Sequence, residues 1–253
     1  MSYQIANVRT DQPANDGVII YWLAASGFVF KFASGDILCI DPYLSDYVED
    51  IVGFIRLSLA PIDAANLHFD HLLITHDHGD HLDVGCFEEL MAANPNSKIL
   101  ASLSCSEYLN SHNHAFTAAN FGDHYKAGAV DVKIIKADHG DQCDTALGFL
   151  ITYGKHRIFF TGDTCINDEA MAPAIETSPT IVIPCINGEF GNLTETDAAE
   201  IVKQCNAEVA IPSHFGLSAE HGGSPANFQK AVAALSPNTR VQLLKPGRGI
   251  EIV

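Results

Sequence analysis

The sequence predicts an α/β fold in which two mixed β-sheets pack face to face and helices cover both outer faces, a four-layer αββα sandwich. Each half of the 253-residue chain opens with short β-branched segments, and helical patterns accumulate later in each half. Apolar residues make up 47% of the chain and charged residues only 18%, so enough apolar side chains are available for the buried sheets. Because no linker or repeat interrupts this pattern, we expect residues 1–253 to form a single domain.

Strand-like segments dominate the first half of the chain, and these are residues 17–26, 28–34, 36–41, 72–75 and 97–102. Ser34, Gly35 and Asp36 form a turn signal that predicts a hairpin between the second and third strands. A helical pattern over residues 83–95 follows the fourth strand, and Asp83 is its expected N-cap. The first half therefore begins antiparallel and gains a helix later.

The second half repeats this order with strand-like segments at residues 129–137, 146–154, 156–163, 180–188, 208–214 and 241–253. A glycine-containing turn predicts a hairpin between the second and third of them. Helical patterns over residues 194–206 and 224–237 begin at typical N-capping residues, Thr194 or Thr196 in one case and Ser224 in the other.

Charge and composition exclude several classes of protein. The formal net charge of −17 leaves no broad basic surface for nucleic acid, which binds to clustered Lys and Arg. No apolar run approaches the ~20 residues of a membrane helix, and the first residues do not resemble a signal peptide. The seven cysteines are odd in number and include no C-x-x-C pair, which indicates reduced thiols. We therefore expect a cytoplasmic protein that binds neither nucleic acid nor membranes.

The segment "ITHDHGDHLD", residues 74–83, concentrates metal-ligating side chains behind an apolar strand. His76 and His78 stand two residues apart in an extended segment, so their imidazoles point to one side and can meet one cation. After the glycine turn, Asp80 and His81 can face a second cation at the ~3.5–4 Å separation of two-metal sites. The H-x-H-x-D-H spacing therefore predicts two metal ions.

Further candidate ligands follow later strands. His139, Asp163 and His214 each come directly after a strand-like segment, and a carboxylate such as Asp163 can bridge two cations where Gly162 permits close approach. One histidine after a strand is more often a hydrogen-bonded surface residue, but two histidines and an aspartate in the same position, beside the first motif, favour a shared site. His221 lies on a glycine-rich loop, and we expect it to contact the substrate.

Together these motifs resemble the metallo-β-lactamase superfamily of αββα hydrolases. The segments that resemble its L-ascorbate-6-phosphate lactonase-like branch are "WLAASGFVFKFASGDILCIDPYLSD", "ITHDHGDHLD", "ADHG", "FFTGDT", "INGEFGNLTETDAAEI" and "IPSHFG". The likeness runs from about Ile20 to about Asn227, which is most of the chain. It implies the metallo-β-lactamase fold and a two-metal site, and it is more specific for these than for the substrate.

The resemblance also implies roles for individual residues. It divides six ligands into two triads, which are His76, His78 and His139 for one ion and Asp80, His81 and His214 for the other. Asp163 would bridge the ions, and Asp41 would lie behind them, where a carboxylate orients a ligating imidazole. We expect substrate contacts from Asn187 and Asn192, in the loop "INGEFGN", together with His221.

The predicted reaction is the opening of a small lactone by a hydroxide that two metal ions share. Such ions lower the pKa of water from ~16 toward ~7 and polarise a carbonyl, and Asp80 would orient the hydroxide or accept its proton. Two alternatives stay open, a phosphodiesterase for a small or lipid phosphodiester and a metal-binding scaffold without activity. Seven candidate ligands exceed the four of a closed structural zinc site, which favours catalysis.

The cofactors and partners follow from the same residues. Imidazole and carboxylate ligands without a thiolate suit zinc, manganese or iron, and the ligand types do not choose among these metals. We expect a small-molecule substrate as the main partner. Exposed strand edges also favour a homo-oligomer.

Overall fold

Two mixed β-sheets carry the fold, and the computed structural model of the protein describes residues 3–253. In chain order the strands are β1 (Tyr3–Gln4), β2 (Val18–Ala24), β3 (Gly27–Phe32), β4 (Ile37–Ile40), β5 (His71–Ile74), β6 (Lys98–Ala101), β7 (Phe116–Ala118), β8 (His124–Ala127), β9 (Val130–Lys136), β10 (Leu147–Tyr153), β11 (His156–Phe160), β12 (Ile181–Ile183), β13 (Val209–Ala210), β14 (Arg240–Val241) and β15 (Arg248–Ile252). The helices are α1 (Tyr47–Val52), α2 (Phe87–Ala93), α3 (Ser106–Ser111), α4 (Asp168–Ile175), α5 (Glu195–Cys205) and α6 (Pro225–Leu235).

The first sheet has the strand order β1-β15-β2-β3-β4-β5-β6-β7 within the described residues, and the second has the order β14-β13-β12-β11-β10-β9-β8. Both sheets mix antiparallel hairpins with parallel neighbours. The predicted hairpins β3–β4 and β10–β11 are present, with Tyr153 opposite His156 in the second. The αββα fold class predicted from the sequence is therefore confirmed.

Alternating side chains of the strands create three apolar layers. Between the sheets, β2 and β3 contribute Trp22, Phe28 and Phe30, while β11 of the opposite sheet contributes Phe160. The opposite faces of the strands pack under helices, α2 and α3 on the first sheet and α4, α5 and α6 on the second. Burial of both strand faces explains why the strands appear in the sequence as continuous apolar runs.

The two long helices begin where their capping residues predict. Thr194 accepts a hydrogen bond from the backbone N–H of Asp197, and the Asp197 carboxylate accepts one from the backbone N–H of Thr194, which completes a capping box. Ser224 caps α6 with Pro225 in the first turn. Within residues 3–253, none of the helices combines the length and the apolar character needed to cross a membrane.

The prediction for Asp83 is wrong. Helix α2 begins at Phe87 rather than at residue 84, and a turn precedes it. The Asp83 carboxylate instead accepts hydrogen bonds from the backbone N–H groups of Leu44 and Ser45, both at 2.8 Å, and from the Ser45 hydroxyl. Asp83 therefore anchors the loop before α1, because its oxygens accept hydrogen bonds from two N–H groups of that loop instead of from the first N–H groups of the helix.

Other elements differ from the sequence prediction because tertiary pairing defines them. Helices α1, α3 and α4 and strands β7 and β8 were not predicted, and all are short. The last segment was predicted as one strand, but β14 pairs with β13 in the second sheet and β15 returns to β2 in the first. The residues between them, 242–247, cross from one sheet to the other.

Candidate metal centre

The candidate ligands lie at one edge of the sandwich because their strands end there. Strands β4 and β5 run parallel, and so do β11, β12 and β13. Strand β9 points the same way as β11 because both are antiparallel to β10. The loops that follow these strands carry all the predicted ligands, and such carboxyl ends are the usual place for ligand sites in sheets of this kind.

The first triad, predicted on His76, His78 and His139, is assembled in the structure. Its ligand atoms all lie within 4.8 Å of one another, and His76 Nε2 is 3.0 Å from His78 Nδ1. The His139 ring lies with its centroid 5.2 Å from those of the other two. Both ring nitrogens of His139 are buried without a hydrogen-bond partner among the described residues.

The second triad brings Asp80, His81 and His214 together, again within 4.8 Å. His81 Nε2 lies 3.3 Å from His214 Nε2, and His214 Nε2 lies 3.3 Å from Asp80 Oδ2. His214 adopts a φ of 55°, an unusual conformation for a non-glycine residue that concentrates at functional sites. Three nearly buried side chains thus aim polar atoms at one point.

Asp163 lies between the triads. Its Oδ2 is 3.2 Å from His214 Nε2 and 3.5 Å from His81 Nε2, and it also groups with His76 and His81 as a candidate ligand set. The preceding Gly162 has a φ of 65°, and a Cβ there would lie 2.1 Å from the Leu147 carbonyl oxygen. Only glycine fits this turn, which brings the carboxylate to the position that a bridging ligand needs.

A hydrogen-bond network behind the triads orients two imidazoles. Asp41 Oδ2 lies 2.8 Å from His81 Nδ1, and Asp41 also accepts hydrogen bonds from the Thr75 backbone N–H (2.9 Å) and hydroxyl (2.6 Å). The Thr75 oxygen lies 3.0 Å from His76 Nδ1. Since the hydroxyl proton goes to the carboxylate, we assign N–H to Nδ1 of both histidines, which leaves each Nε2 free to bind a metal. Thr75 was not predicted from the sequence, although it directly precedes the motif.

The charge states of the candidate ligands depend on one another. Burial, reinforced by the neighbouring His81, lowers the pKa of His76 well below its ordinary value. Burial opposes ionisation of Asp163 and Asp80, but nearby His214 and His81 outweigh it and hold the pKa of both carboxyls below the usual range. Burial opposes protonation of His81 and His214, but Asp163 and Asp80 outweigh it and raise the pKa of both imidazoles. Since neutral imidazole is the form that ligates a metal, a cation bound there would displace protons from these two histidines.

The residues present fit a pair of divalent cations. Buried polar groups are normally hydrogen-bonded, yet the nitrogens of His139 and Nδ1 of His214 have no partner among residues 3–253. The Nε2 atoms of His81 and His214 face each other at 3.3 Å. A donor set of imidazoles and carboxylates that point inward, with unpartnered nitrogens, has the chemistry of a metal site rather than of a hydrogen-bonded core.

A cavity of about 400 Å³ opens onto this cluster. His78, Asp80, His139, Asp163 and His214 form part of its lining, so the candidate ligands are reachable from solvent. Such a volume accommodates a small organic substrate.

The three residues predicted to touch substrate lie in different environments. His221 lines the cavity, with Nε2 3.9 Å from Asp80 Oδ2. Asn192 lies outside the lining, and its side-chain amide donates a 2.7 Å hydrogen bond to Asp163 Oδ2. Asn187 is also outside the lining, with its nearest hydrogen-bond acceptor at 3.5 Å in the Glu189 carbonyl. Substrate contact therefore has geometric support only for His221, and Asn192 instead fixes the orientation of Asp163.

Comparison with known sequences decides the family. Residues 38–215, which include all seven candidate metal ligands, match the beta-lactamase superfamily domain. The chain belongs to the metallo-β-lactamase superfamily. Relatives named UPF0173 metal-dependent hydrolase occur in Archaeoglobus fulgidus, 26% identical over 92% of this chain and 98% of the relative, and in Aeropyrum pernix, 28% identical over 87% and 91%.

Solved structures confirm the metallo-β-lactamase fold. Igni18, a metallo hydrolase from Ignicoccus hospitalis, superposes with a TM-score of 0.75 at 22% identity, covering 94% of this chain and 99% of that one. The protein YhfI from Bacillus subtilis, described as having the metallo-β-lactamase fold, gives a TM-score of 0.70 at 19% identity over 94% and 100%. The domain match over residues 38–215 confirms the predicted superfamily, whereas the lactonase-like branch within it stays a prediction.

Proposed function

We propose that the protein is a metal-dependent hydrolase that opens a small lactone, with the chemistry of an L-ascorbate-6-phosphate lactonase. One observation carries the proposal: Asp163 lies between two triads of candidate ligands, and members of both triads line an open cavity together with it. A purely structural zinc site is closed by four ligands and needs no access to solvent. The names of the sequence relatives, metal-dependent hydrolases, support the same class of activity.

The chain's own residues supply binding and positioning. A pair of divalent ions, held by His76, His78 and His139 and by Asp80, His81 and His214 with Asp163 between, would supply hydroxide at neutral pH and polarise a carbonyl. Asp80 would accept the proton of the attacking water and return it to the ring oxygen when the ester C–O bond breaks. Water is thus added across the bond, and the product is a hydroxy acid.

A nucleophilic thiolate beside Asp163 is disfavoured. Burial raises the pKa of Cys165, the cysteine nearest in sequence to Asp163, and the adjacent Asp138 raises it further. The thiolate form that attacks carbonyls is therefore disfavoured at that position.

Parallel substrate panels test the proposal. Protein purified without chelator, with its zinc, manganese and iron content measured, would be assayed with lactones, with aryl esters and with phosphodiesters. We expect turnover of lactones, and Asp80→Asn should reduce kcat by about 10²–10⁴-fold, the range of a general base. The exposed Asp144→Asn is the matched control and should retain wild-type rates. Turnover of diesters alone would end the lactonase proposal, and full metal content without any turnover would favour a scaffold.

A further inference from the structure

One wall of the cavity is apolar although it faces solvent. We define the apolar wall as Val48, Ile51, Val52, Phe54 and Phe190, all of which line the cavity. Ile51, Val52 and Phe190 are 51%, 56% and 45% exposed, respectively. We propose that this wall binds an uncharged, apolar group of the substrate, such as an alkyl or aryl substituent, while the bond to be hydrolysed lies at the metal ligands.

Helix α1 is built to present this wall. Val48, Ile51 and Val52 stand at i, i+3 and i+4, so they share one helix face, and this face turns toward the cavity. The two acidic residues of α1, Glu49 and Asp50, are exposed and do not line the cavity. Large apolar side chains that stay half exposed in a concave site are typical of ligand-binding surfaces.

The segment that carries the wall is anchored from behind. Arg56 Nη1 donates hydrogen bonds to the carbonyl oxygens of Tyr43 (3.0 Å) and Ser45 (3.1 Å), and its guanidinium lies 4.7 Å from the centre of the Tyr43 ring. Asp83 holds the same loop through Leu44 and Ser45. The part of the wall formed by α1 and Phe54 is therefore held in place before a ligand binds.

Positive charge is missing from the cavity lining. Among the described residues that line it, none is Lys or Arg, whereas Asp77, Asp80 and Asp163 are acidic. The cation nearest in sequence to the wall, Arg56, is engaged behind it with Tyr43 and Ser45. A phosphate or carboxylate on the substrate, away from the metal ligands, would find no cationic partner, and burying it unpaired is costly. The lactone would therefore share the reacting ring of L-ascorbate-6-phosphate but not its phosphate group.

His221 joins the polar and apolar parts of the site. Its ring packs edge-on against Phe54 and Phe190, at 6.3 and 5.9 Å between ring centres, and lies 4.9 Å from the ring of His214. Its Nδ1 is buried without a partner among residues 3–253. The metal ligands therefore lie on one side of the His221 imidazole and the apolar side chains on the other. This arrangement fits an amphiphilic ligand that carries its reacting group at one end.

The position of the reacting bond rests on the proposed function, whereas binding of the apolar group does not. Binding measurements therefore test the apolar wall separately from hydrolysis. Straight-chain alkyl hydroxamic acids of two to eight carbons, whose head group chelates metals, would be titrated calorimetrically into metal-loaded protein of measured metal content. The charged probe is the eight-carbon hydroxamate that ends in a carboxylate. We expect affinity to rise about threefold to fourfold for each added methylene until the chain outgrows the cavity, and the carboxylate-ended probe to bind at least about tenfold more weakly than its methyl-ended counterpart.

Variants locate the effect. Phe190→Ala and Val52→Asn should flatten the dependence on chain length while the two-carbon probe binds as before. Leu59→Ala, at a 92% exposed residue outside the cavity lining, is the control and should leave the dependence intact.

A dependence that is flat in wild-type protein would overturn the inference, as would equal or tighter binding of the carboxylate-ended probe. A flat dependence is also the result expected if a second copy of the chain covers the wall. Failure of the hydroxamates to bind the metal-loaded protein would count against the inference as well. If the dependence on chain length appears but no lactone is hydrolysed, the proposed function fails and the apolar binding wall stands.

Discussion

Replacing Asp41 with asparagine tests how the hydrogen-bond network behind the triads prepares a metal ligand. Asp41 is fully buried, and its Oδ2 accepts from both the Thr75 hydroxyl and His81 Nδ1. Asparagine keeps the shape and tolerates the φ of 44° at this position, so the backbone has no reason to move. Its amide N–H₂, however, is a donor where the carboxylate accepted two hydrogen bonds.

The magnitude follows from the contact to His81. With a donor at 2.8 Å from Nδ1, the imidazole is driven to the other tautomer, which protonates the Nε2 that faces His214. Losing a hydrogen bond to a charged group costs about 1.5–3 kcal/mol. Loss of a partner that orients a metal ligand typically lowers metal affinity by about 10–100-fold, or about 1.4–2.8 kcal/mol, so the two estimates agree.

A competitive titration against a chromophoric chelator measures this effect. We expect the ion held by Asp80, His81 and His214 to bind about 10–100-fold more weakly in Asp41→Asn, and the ion held by the other triad to change less. The matched control is Asp83→Asn, another buried carboxylate with several hydrogen bonds, which touches no imidazole. It should lower the free energy of unfolding without changing metal affinity. Wild-type affinity in Asp41→Asn, or equal losses in both variants, would refute the tautomer argument.

Three further predictions concern the metal site, the core and the pH dependence of stability. His139→Ala should leave a folded protein that has lost about one equivalent of metal by elemental analysis, because the His139 imidazole has no hydrogen-bond partner among residues 3–253; two retained equivalents would remove it from the ligand set. Phe28→Ala should lower the free energy of unfolding, measured in urea, by about 3–5 kcal/mol, since the fully buried ring packs against two other phenylalanines between the sheets. The control Leu59→Ala, at an exposed residue, should change it by less than about 0.5 kcal/mol. Similar losses in the two variants would contradict this account of the core. Burial lowers the pKa of His71 below its ordinary 6.5, so the unfolded chain binds more protons and the free energy of unfolding should fall as the pH drops from 6.5 through the folded-state pKa. Denaturation at several pH values should show a smaller fall in His71→Gln than in wild type or in the exposed His112→Gln. Parallel curves for all three proteins would show that His71 is not responsible.

The sequence determined the chemistry because ligand types and local spacing are written in it. The H-x-H-x-D-H motif places four candidate ligands within six residues, and no tertiary information is needed to see that they can bind cations. Capping at Thr194 and Ser224 is equally local, since the side chain and the N–H it binds lie three residues apart. The layered fold also followed from the sequence, because strand and helix periodicity recurs in both halves.

Contacts between distant residues were decided only by the tertiary structure. Asp83 looked like a helix cap, but a loop 38 residues earlier in the chain supplies its donors. The final segment looked like one strand, but β14 lies at the edge of the second sheet and β15 lies between β1 and β2 of the first sheet.

The same reason limits what the sequence could say about substrate. Asn192 carries polar atoms suited to a substrate, but its position puts them on Asp163. The spacing of the apolar residues of α1 is also typical of a helix face that packs in the core. Only the folded chain shows that this face meets a cavity instead of another element. Local pattern thus determined the metal chemistry of this protein, and packing between distant segments decided which surfaces surround it.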